Sequence, residues 1–352
     1  QLKVAINFDK EKDEMFSTQL VYGENQASLS DKKGINIIIE QDAFNASDWA
    51  GLISATVGDS ADSASGLTGI SLTTKQLQWK GKEYGALEIA IQQLQQQWKG
   101  SLSCSIAKGA FVLPVAKAGK EKIKLEMAYL NLSELLKFNK QMEGVESDDI
   151  PLIQVFSDAL WWNAVDLGRL EIETEKIADG VRFKSINVVS DKHRLALKAD
   201  WIKTENGSVT ELYGDLAVEE MGDFLSKMEF TDDIKEAQAN IGFFSAWAGT
   251  PYQFSLQSIN AEIDLELKDG RIASIEPGFG RLLGLIAMEQ WVKRVMLDFG
   301  DVFKHGLSFN NNMGHFHLSE GQLRTKDLMV DAVPAQISLV GKADLVTETL
   351  DY

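Results

Sequence analysis

Residues 260–277 read NAEIDLELKDGRIASIEP. Ile263, Leu265 and Leu267 alternate with Glu262, Asp264 and Glu266. A period of two places successive side chains on opposite faces of a strand, so this stretch predicts a strand with one apolar and one charged face. The same alternation opens the chain, with Leu2, Val4, Ile6 and Phe8, and returns at Ile35, Ile37 and Ile39. It recurs near the end in MGHFHLSEG (313–321), QLRTKDLMVD (322–331) and AQISLVGKADL (335–345). The fold class expected is mostly β: an elongated, curved and twisted antiparallel sheet whose apolar face forms an open groove. Short helices are interspersed, and an amphipathic helical segment lies near the C-terminus.

The chain has 352 residues, 44% of them hydrophobic, enough to bury a large core. Its formal net charge is -17. That argues against a nucleic-acid backbone as partner, because phosphate recognition needs a Lys/Arg footprint. No run approaches the length of a transmembrane helix. The chain begins QLKVAINFDKEKDE, already strand-like and without a leader, which reads as a mature chain or a piece of a longer protein. One cysteine, Cys104, excludes an intramolecular disulfide.

Two landmarks recur at a similar distance. LQWKGKEYGALEI at 77–89 resembles LWWNAVDLGRLEI at 160–172, with Trp79, Gly85 and Leu87 answering to Trp162, Gly168 and Leu170. NASDWAGLIS (45–54), NLSELLKF (131–138) and AVEEMGDFLSKM (217–228) each follow a strand and read as one short capped helix, with Asn45 or Ser47 as the first cap. This predicts an internal repeat of about 85 residues over 1–269. Its short helices fall near 46–54, 131–140 and 217–228. GFFSAWAGTP at 242–251 reads as a turn-rich break before the last part of the chain.

The chemistry-bearing candidates are weak. GFGRLLG at 278–284 is a loose glycine fingerprint, but it follows an acidic alternating strand ending in Pro277 and opens no βαβ unit, so a tight strand-to-helix turn is the better reading. His315 and His317 share one strand face and could hold a metal with a third ligand, yet no partner motif accompanies them. GDS at 58–60 lies in a small, polar loop, and Asp148 and Asp149 lie in an acidic loop. No constellation supports catalysis, and no metal or cofactor is expected.

Between 278 and 309 the pattern changes. Leu282, Leu285, Ile286, Trp291, Val292 and Val295 recur at helical spacing, followed by Phe299, Val302, Phe303 and Leu307. Four Lys/Arg (Arg281, Lys293, Arg294, Lys304) against three acids (Glu289, Asp298, Asp301) make the segment neutral to slightly basic in an acidic chain. An amphipathic helix with a Trp suits a membrane surface. It suits equally a plug that caps the β structure, and the residues alone leave both readings open.

The C-terminal part also resembles a known family. The turn from Glu276 through Gly284, Leu297-Asp298-Phe299 followed by Asp301-Val302-Phe303 and Gly306, Glu320-Gly321, and Gly341 with Asp344-Leu345 resemble the C-terminal region of AsmA-like proteins, most closely the YhdP branch. The resemblance marks 270–352 as that region, with a helical insertion at 279–305. It implies a non-enzymatic, bridge-type lipid-transfer module that carries phospholipid acyl chains along an apolar groove between the inner and outer membranes of a Gram-negative envelope. The alternative is a structural periplasmic scaffold without lipid cargo. The expected groove residues are Leu87, Ile89, Ile91, Leu170, Ile172, Ile263, Leu265, Leu267, Ile337 and Leu339. The expected membrane-contact or exit helix carries Leu282, Leu285, Ile286, Trp291, Val292, Phe299 and Phe303. Implied partners are phospholipid and, at the C-terminal end, the inner leaflet of the outer membrane or an envelope protein. The implied location is the periplasm, within a longer protein anchored in the inner membrane.

Overall fold

A computed structural model of the chain describes residues 2–9, 14–28, 34–48, 66–95, 97–114, 122–138, 147, 150–272, 307–332, 336–346 and 349–351. The chain divides into two compact units. The first comprises Gln1–Met142 and Pro151–Asn163, the second Glu143–Ile150 and Ala164–Tyr352.

The first unit contains β1 (Leu2–Asp9), β2 (Glu14–Tyr22), β3 (Gly34–Asn45), β4 (Leu67–Trp79), β5 (Lys82–Glu83), β6 (Leu87–Leu94), β7 (Gln97–Cys104), β8 (Ala107–Pro114) and β9 (Ile123–Asn131). A helix, α1 (Leu132–Phe138), follows, then β10 (Ile153–Ser157) and β11 (Leu160–Trp162). Hairpins join β1 to β2 and then β4 through β9 as antiparallel neighbours, with β5 a short partner of β4. Four pairings are parallel: β2 with β3, β3 with β4, and β9 with both β10 and β11. The sheet is therefore mixed. Parallel neighbours require the chain to return the length of a strand before pairing again. Two of these returns begin with helical turns, at 46–48 after β3 and in α1 after β9.

The two helical starts are built alike. The Asn45 side chain accepts a hydrogen bond from the Ser47 amide at 3.1 Å. Asn131 accepts from the Glu134 amide at 3.2 Å and from the Ser133 hydroxyl at 2.7 Å, which caps α1. Each serine then ties the helix to the turn after a tryptophan. Ser47 accepts from the Lys80 amide (2.8 Å) and Ser133 from the Asn163 amide (3.0 Å). Lys80 and Asn163 both sit at positive φ, 49° and 51°. Gly85 and Gly168, which precede the two Leu-Glu-Ile strands, also have positive φ, 73° and 93°.

The second unit is an antiparallel meander after a short β12 (Val165–Asp166). It runs β13 (Arg169–Ile177), β14 (Gly180–Val189), β15 (His193–Thr204), β16 (Gly207–Val218), β17 (Ile234–Ala248), β18 (Asn260–Ile272), β19 (Leu307–Ser319), β20 (Gln322–Ala332), β21 (Gln336–Asp344) and β22 (Thr349–Asp351). A second helix, α2 (Met221–Lys227), sits in the connection from β16 to β17. Unlike the two earlier helical starts, it is followed by an antiparallel strand.

Residues 242–248, read from the sequence as part of a turn-rich break, belong to β17, and the break proper is the loop 249–259. Alternation in FFSAW is carried by Phe243, Ser245 and Trp247, a polar residue between two aromatics, which hid the strand. Trp49, GDS at 58–60, Asp148 and Asp149 lie outside the described residues, as does 279–305, where the helical insertion was expected.

Replacing Asn131 with Ala removes the acceptor for the first turn of α1. The expected cost is about 1 kcal/mol, read as a lower denaturant midpoint with unchanged slope.

Candidate functional site: an apolar sheet face

Directly opposed residues in a sheet share a face, so the register assigns faces without ambiguity. In the second unit one cross-strand row runs Leu170, Val188, Leu195, Leu216, Ile241, Leu265. The next row on the same face runs Ile172, Ile186, Leu197, Gly214, Phe243, Ile263, Phe316. The row between them, on the other face, runs Glu171, Asn187, Ala196, Asp215, Gly242, Asp264, His315. One face is thus apolar across seven strands, and the row on the other carries three carboxylates, an asparagine and a histidine.

The first unit repeats the arrangement. Val4, Leu20, Ile37, Ile70, Ile91, Gly100, Phe111, Leu125 and Val155 form one row across nine strands. At about 4.8 Å between strands, such a row is about 40 Å long. Leu87, Ile89 and Ile91 all lie on this face, where Ile89 packs beside Leu72 on one side and Phe111 on the other. Cys104 stands on the same face opposite Leu87, and its carbonyl accepts from the Tyr129 hydroxyl.

Three glycines keep the apolar face low. Gly100, Gly214 and Gly270 lie directly opposite Phe111, Phe243 and Phe309. In each pair the ring occupies the space a glycine Cβ would need. The phenylalanines therefore lie across the sheet instead of standing up from it, adding apolar area without relief.

The seven remaining expected residues lie in the second unit. Leu170 and Ile172 are on the rows above. Ile263 and Leu265 pack against a buried cluster of Ala261, Phe316, Leu318, Leu323, Ala343 and Leu345. Leu267, Ile337 and Leu339 pack against another of Ala237, Leu307, Phe309, Val330 and Ala332. Met221 of α2 joins the second cluster, as do Ile272 and Leu307, the two residues that flank 273–306. That connection therefore leaves and rejoins the sheet at the α2 end of the apolar face. Leu282, Leu285, Ile286, Trp291, Val292, Phe299 and Phe303 lie outside the described residues.

Sequence reasoning missed Val181, Trp201, Thr210 and Trp247, which share this face at the opposite strand ends and are almost fully buried. A bulge in β14 hid Val181. It brings Phe183 and Ile186, three residues apart, onto one face. Among the described elements, extensive contacts run only between strand neighbours in the sheet and between the helices and single strands at its margin.

The polar face carries ion pairs both across and along the strands. Arg182 makes a two-pronged contact with Asp200 (2.7 Å for both bonds), and Lys268 pairs with Glu266 at 2.6 Å. His315 bridges Asp264 (2.8 Å) and Glu262 (2.9 Å), while His317 meets the other Glu262 oxygen at 2.7 Å. Asp327 accepts from the His315 amide at 3.0 Å. No group of three or more His, Cys, Asp or Glu among the described residues is arranged to hold a metal. Ser190 meets His193 Nδ1 at 2.9 Å, but Ser190 Oγ also accepts from the Lys192 and His193 amides, and His193 Nε2 is held on the Leu167 carbonyl. That contact staples the β14–β15 turn and does not present a nucleophile.

Hydrogen bonding to Asp264, reinforced by Glu262, raises the His315 pKa from its ordinary value of 6.5. A raised folded-state value favours the fold below pH 6.5 and loses that contribution as pH rises through the raised value. The wild-type thermal midpoint is expected to decline over that window by a component that His315→Gln lacks. Because the groups are exposed, the component is at most about 1 kcal/mol.

A family model, YhdP protein, matches residues 1–352. The chain is similar to the intermembrane phospholipid transporter YhdP of Escherichia coli (strain K12), at 23% identity over 202 residues. These cover 57% of this chain and 16% of that protein. No solved structure matches. Among the described residues, no helix is long and apolar enough to cross a membrane. The match over the whole chain, on a mostly-β fold with one apolar sheet face, makes this chain a member of the YhdP protein family.

Proposed function

We propose that the apolar face carries phospholipid acyl chains and that the chain is a lipid-transfer module without covalent chemistry. One observation carries this reading: in each unit the register lines up apolar residues into a continuous face that crosses seven to nine strands. A face of this kind is stable in water only when something amphiphilic or apolar covers it. Acyl chains do so by burial at about 25 cal/mol per Å², with no demand for a catalytic group. The name of the Escherichia coli relative, an intermembrane phospholipid transporter, points the same way.

On this reading Leu87, Ile89, Ile91, Leu170, Ile172, Ile263, Leu265, Leu267, Ile337 and Leu339 contact acyl chains. The two Asn-x-Ser helix starts mark successive repeats of about 85 residues. The segment 279–305 serves as the exit toward a membrane or an envelope partner in the periplasm of a Gram-negative cell.

Lipid extraction and mass spectrometry of the purified chain are expected to recover phospholipid. Recovery of none would favour a scaffold without cargo. A photocrosslinker at Leu265, on the apolar face, is expected to capture lipid. One at Glu266, held on the polar face by Lys268 and Asn240, is not. Substituting Asp for both Leu285 and Trp291 is expected to abolish transfer while leaving the β circular-dichroism signal intact, whereas general unfolding would favour a structural plug.

A further inference from the structure

The strand ends of the second unit form two rims. One rim carries α2 and the connection 273–306. The other carries the turns 177–180, 204–207, 319–322 and 344–349 and the loop 249–259. Three of these turns place an acid at the tip, namely Asp179, Glu205 and Glu320. The loop 249–259, GTPYQFSLQSI, has no charge, and none occurs anywhere between Glu236 and Glu262 in a chain that is 25% charged.

The loop is pinned at both ends. The Gly249 amide donates to the Ser208 carbonyl at 2.7 Å, and the Thr210 hydroxyl donates to the Gly249 carbonyl at 2.9 Å. Trp247, buried at the end of the apolar face, donates from Nε1 to the Thr250 carbonyl at 2.9 Å. The Thr250 amide and carbonyl both bond Gln253, and the Ser258 and Ile259 amides donate back to the Ser255 carbonyl. Tyr252 meets the buried Trp201 edge-on. Ile259 packs inward against the Ala261, Phe316 and Leu318 cluster, whereas Phe254 and Leu256 face outward. Phe254, with one edge against Trp247, is 64% exposed, and no large apolar side chain among the described residues is more so. Leu256 is exposed as well, and Val346 of the adjacent turn flanks it across Gly321.

We propose that Phe254, Leu256 and Val346 form a contact surface for the interfacial region of a zwitterionic lipid bilayer. A rigid, uncharged tip with an aromatic at its apex and Tyr252 and Trp247 behind it is suited to the headgroup boundary, where amphipathic rings settle. The absence of any Lys or Arg in the loop, together with the acids of the neighbouring turns, selects against an anionic surface. Burying exposed Phe and Leu on contact supplies the attraction. The inference does not depend on lipid cargo: it concerns docking onto a bilayer, not occupancy of the sheet face.

The test is flotation of the chain with phosphatidylcholine/phosphatidylethanolamine vesicles. The wild type is expected to co-float. F254D/L256D is expected to reduce the bound fraction by more than about tenfold, while V340D, an exposed apolar site on β21, leaves it unchanged. In a C104S background, an environment-sensitive fluorophore at F254C is expected to shift to the blue on adding vesicles. The shift decides the matter if the double variant misfolds. A wild type that stays with the soluble fraction, binding that survives F254D/L256D or is lost equally in V340D, or an unchanged fluorophore overturns the proposal. Phospholipid recovered by extraction without flotation would separate its failure from that of the cargo reading.

Discussion

Everything in this chain depends on keeping strand register in phase with the side-chain period of two. A slip of one residue between any two neighbours would exchange the apolar and charged faces from that strand onward. Tight hairpins hold the phase through most of the second unit: Ile177 opposite Gly180, Thr204 opposite Gly207, Ser319 opposite Gln322. Where the ladder is interrupted, the interruption repairs the phase. Between Leu267 and Gly270 of β18, Asp269 takes a positive φ of 51°, and the apolar face resumes with Gly270 under Phe309. Opposite it, Glu236 and Ala237 of β17 also have positive φ, 60° and 65°. Non-glycine residues pay a steric penalty in this region, so packing must over-determine them. Here Ala237 and Phe309 are both inside the cluster that also receives Leu307 and Val330.

The same logic explains what the amino-acid sequence disclosed. Ile263, Leu265 and Leu267 alternate in an uninterrupted strand, and simple alternation assigns their face. Val181 and Phe183 do not yield to it. Counting back from Ile186 by twos would put Lys184 on the apolar face, and only the bulge between Phe183 and Ile186 turns Lys184 out toward Glu173. A bulge is a pairing irregularity, set by two strands together, and one strand's residues do not announce it. Parallel pairing was hidden for a related reason. The runs at β3, β4 and β9 read the same in either direction, and the direction of a partner is set by the connection. The short capped helices were legible because Asn-x-Ser is a local signal, yet the same signal precedes a parallel strand after α1, and a short helix precedes an antiparallel one after α2. The segment 278–309 announces amphipathicity but not what it covers.

The uneven distribution of charge has a physical consequence for a sheet with two unlike faces. The acids are concentrated on one face, as in the row Glu171, Asp215, Asp264, where cross-strand cations relieve only some of the repulsion. That charge keeps the polar faces of separate molecules apart. It does nothing for the apolar face, where like faces attract and no electrostatic term opposes them. Covering that face with a second protein layer would make an ordinary sandwich. Phe111 in the first unit, and Phe243 and Phe309 in the second, instead lie flat over glycines and keep the apolar face of each unit low at those positions. A smooth apolar surface offers little specificity and little barrier to movement along it, because every position buries similar area. On the proposed reading, those are the properties a path for acyl chains needs, and they follow from the Gly–Phe pairs and the maintained register together.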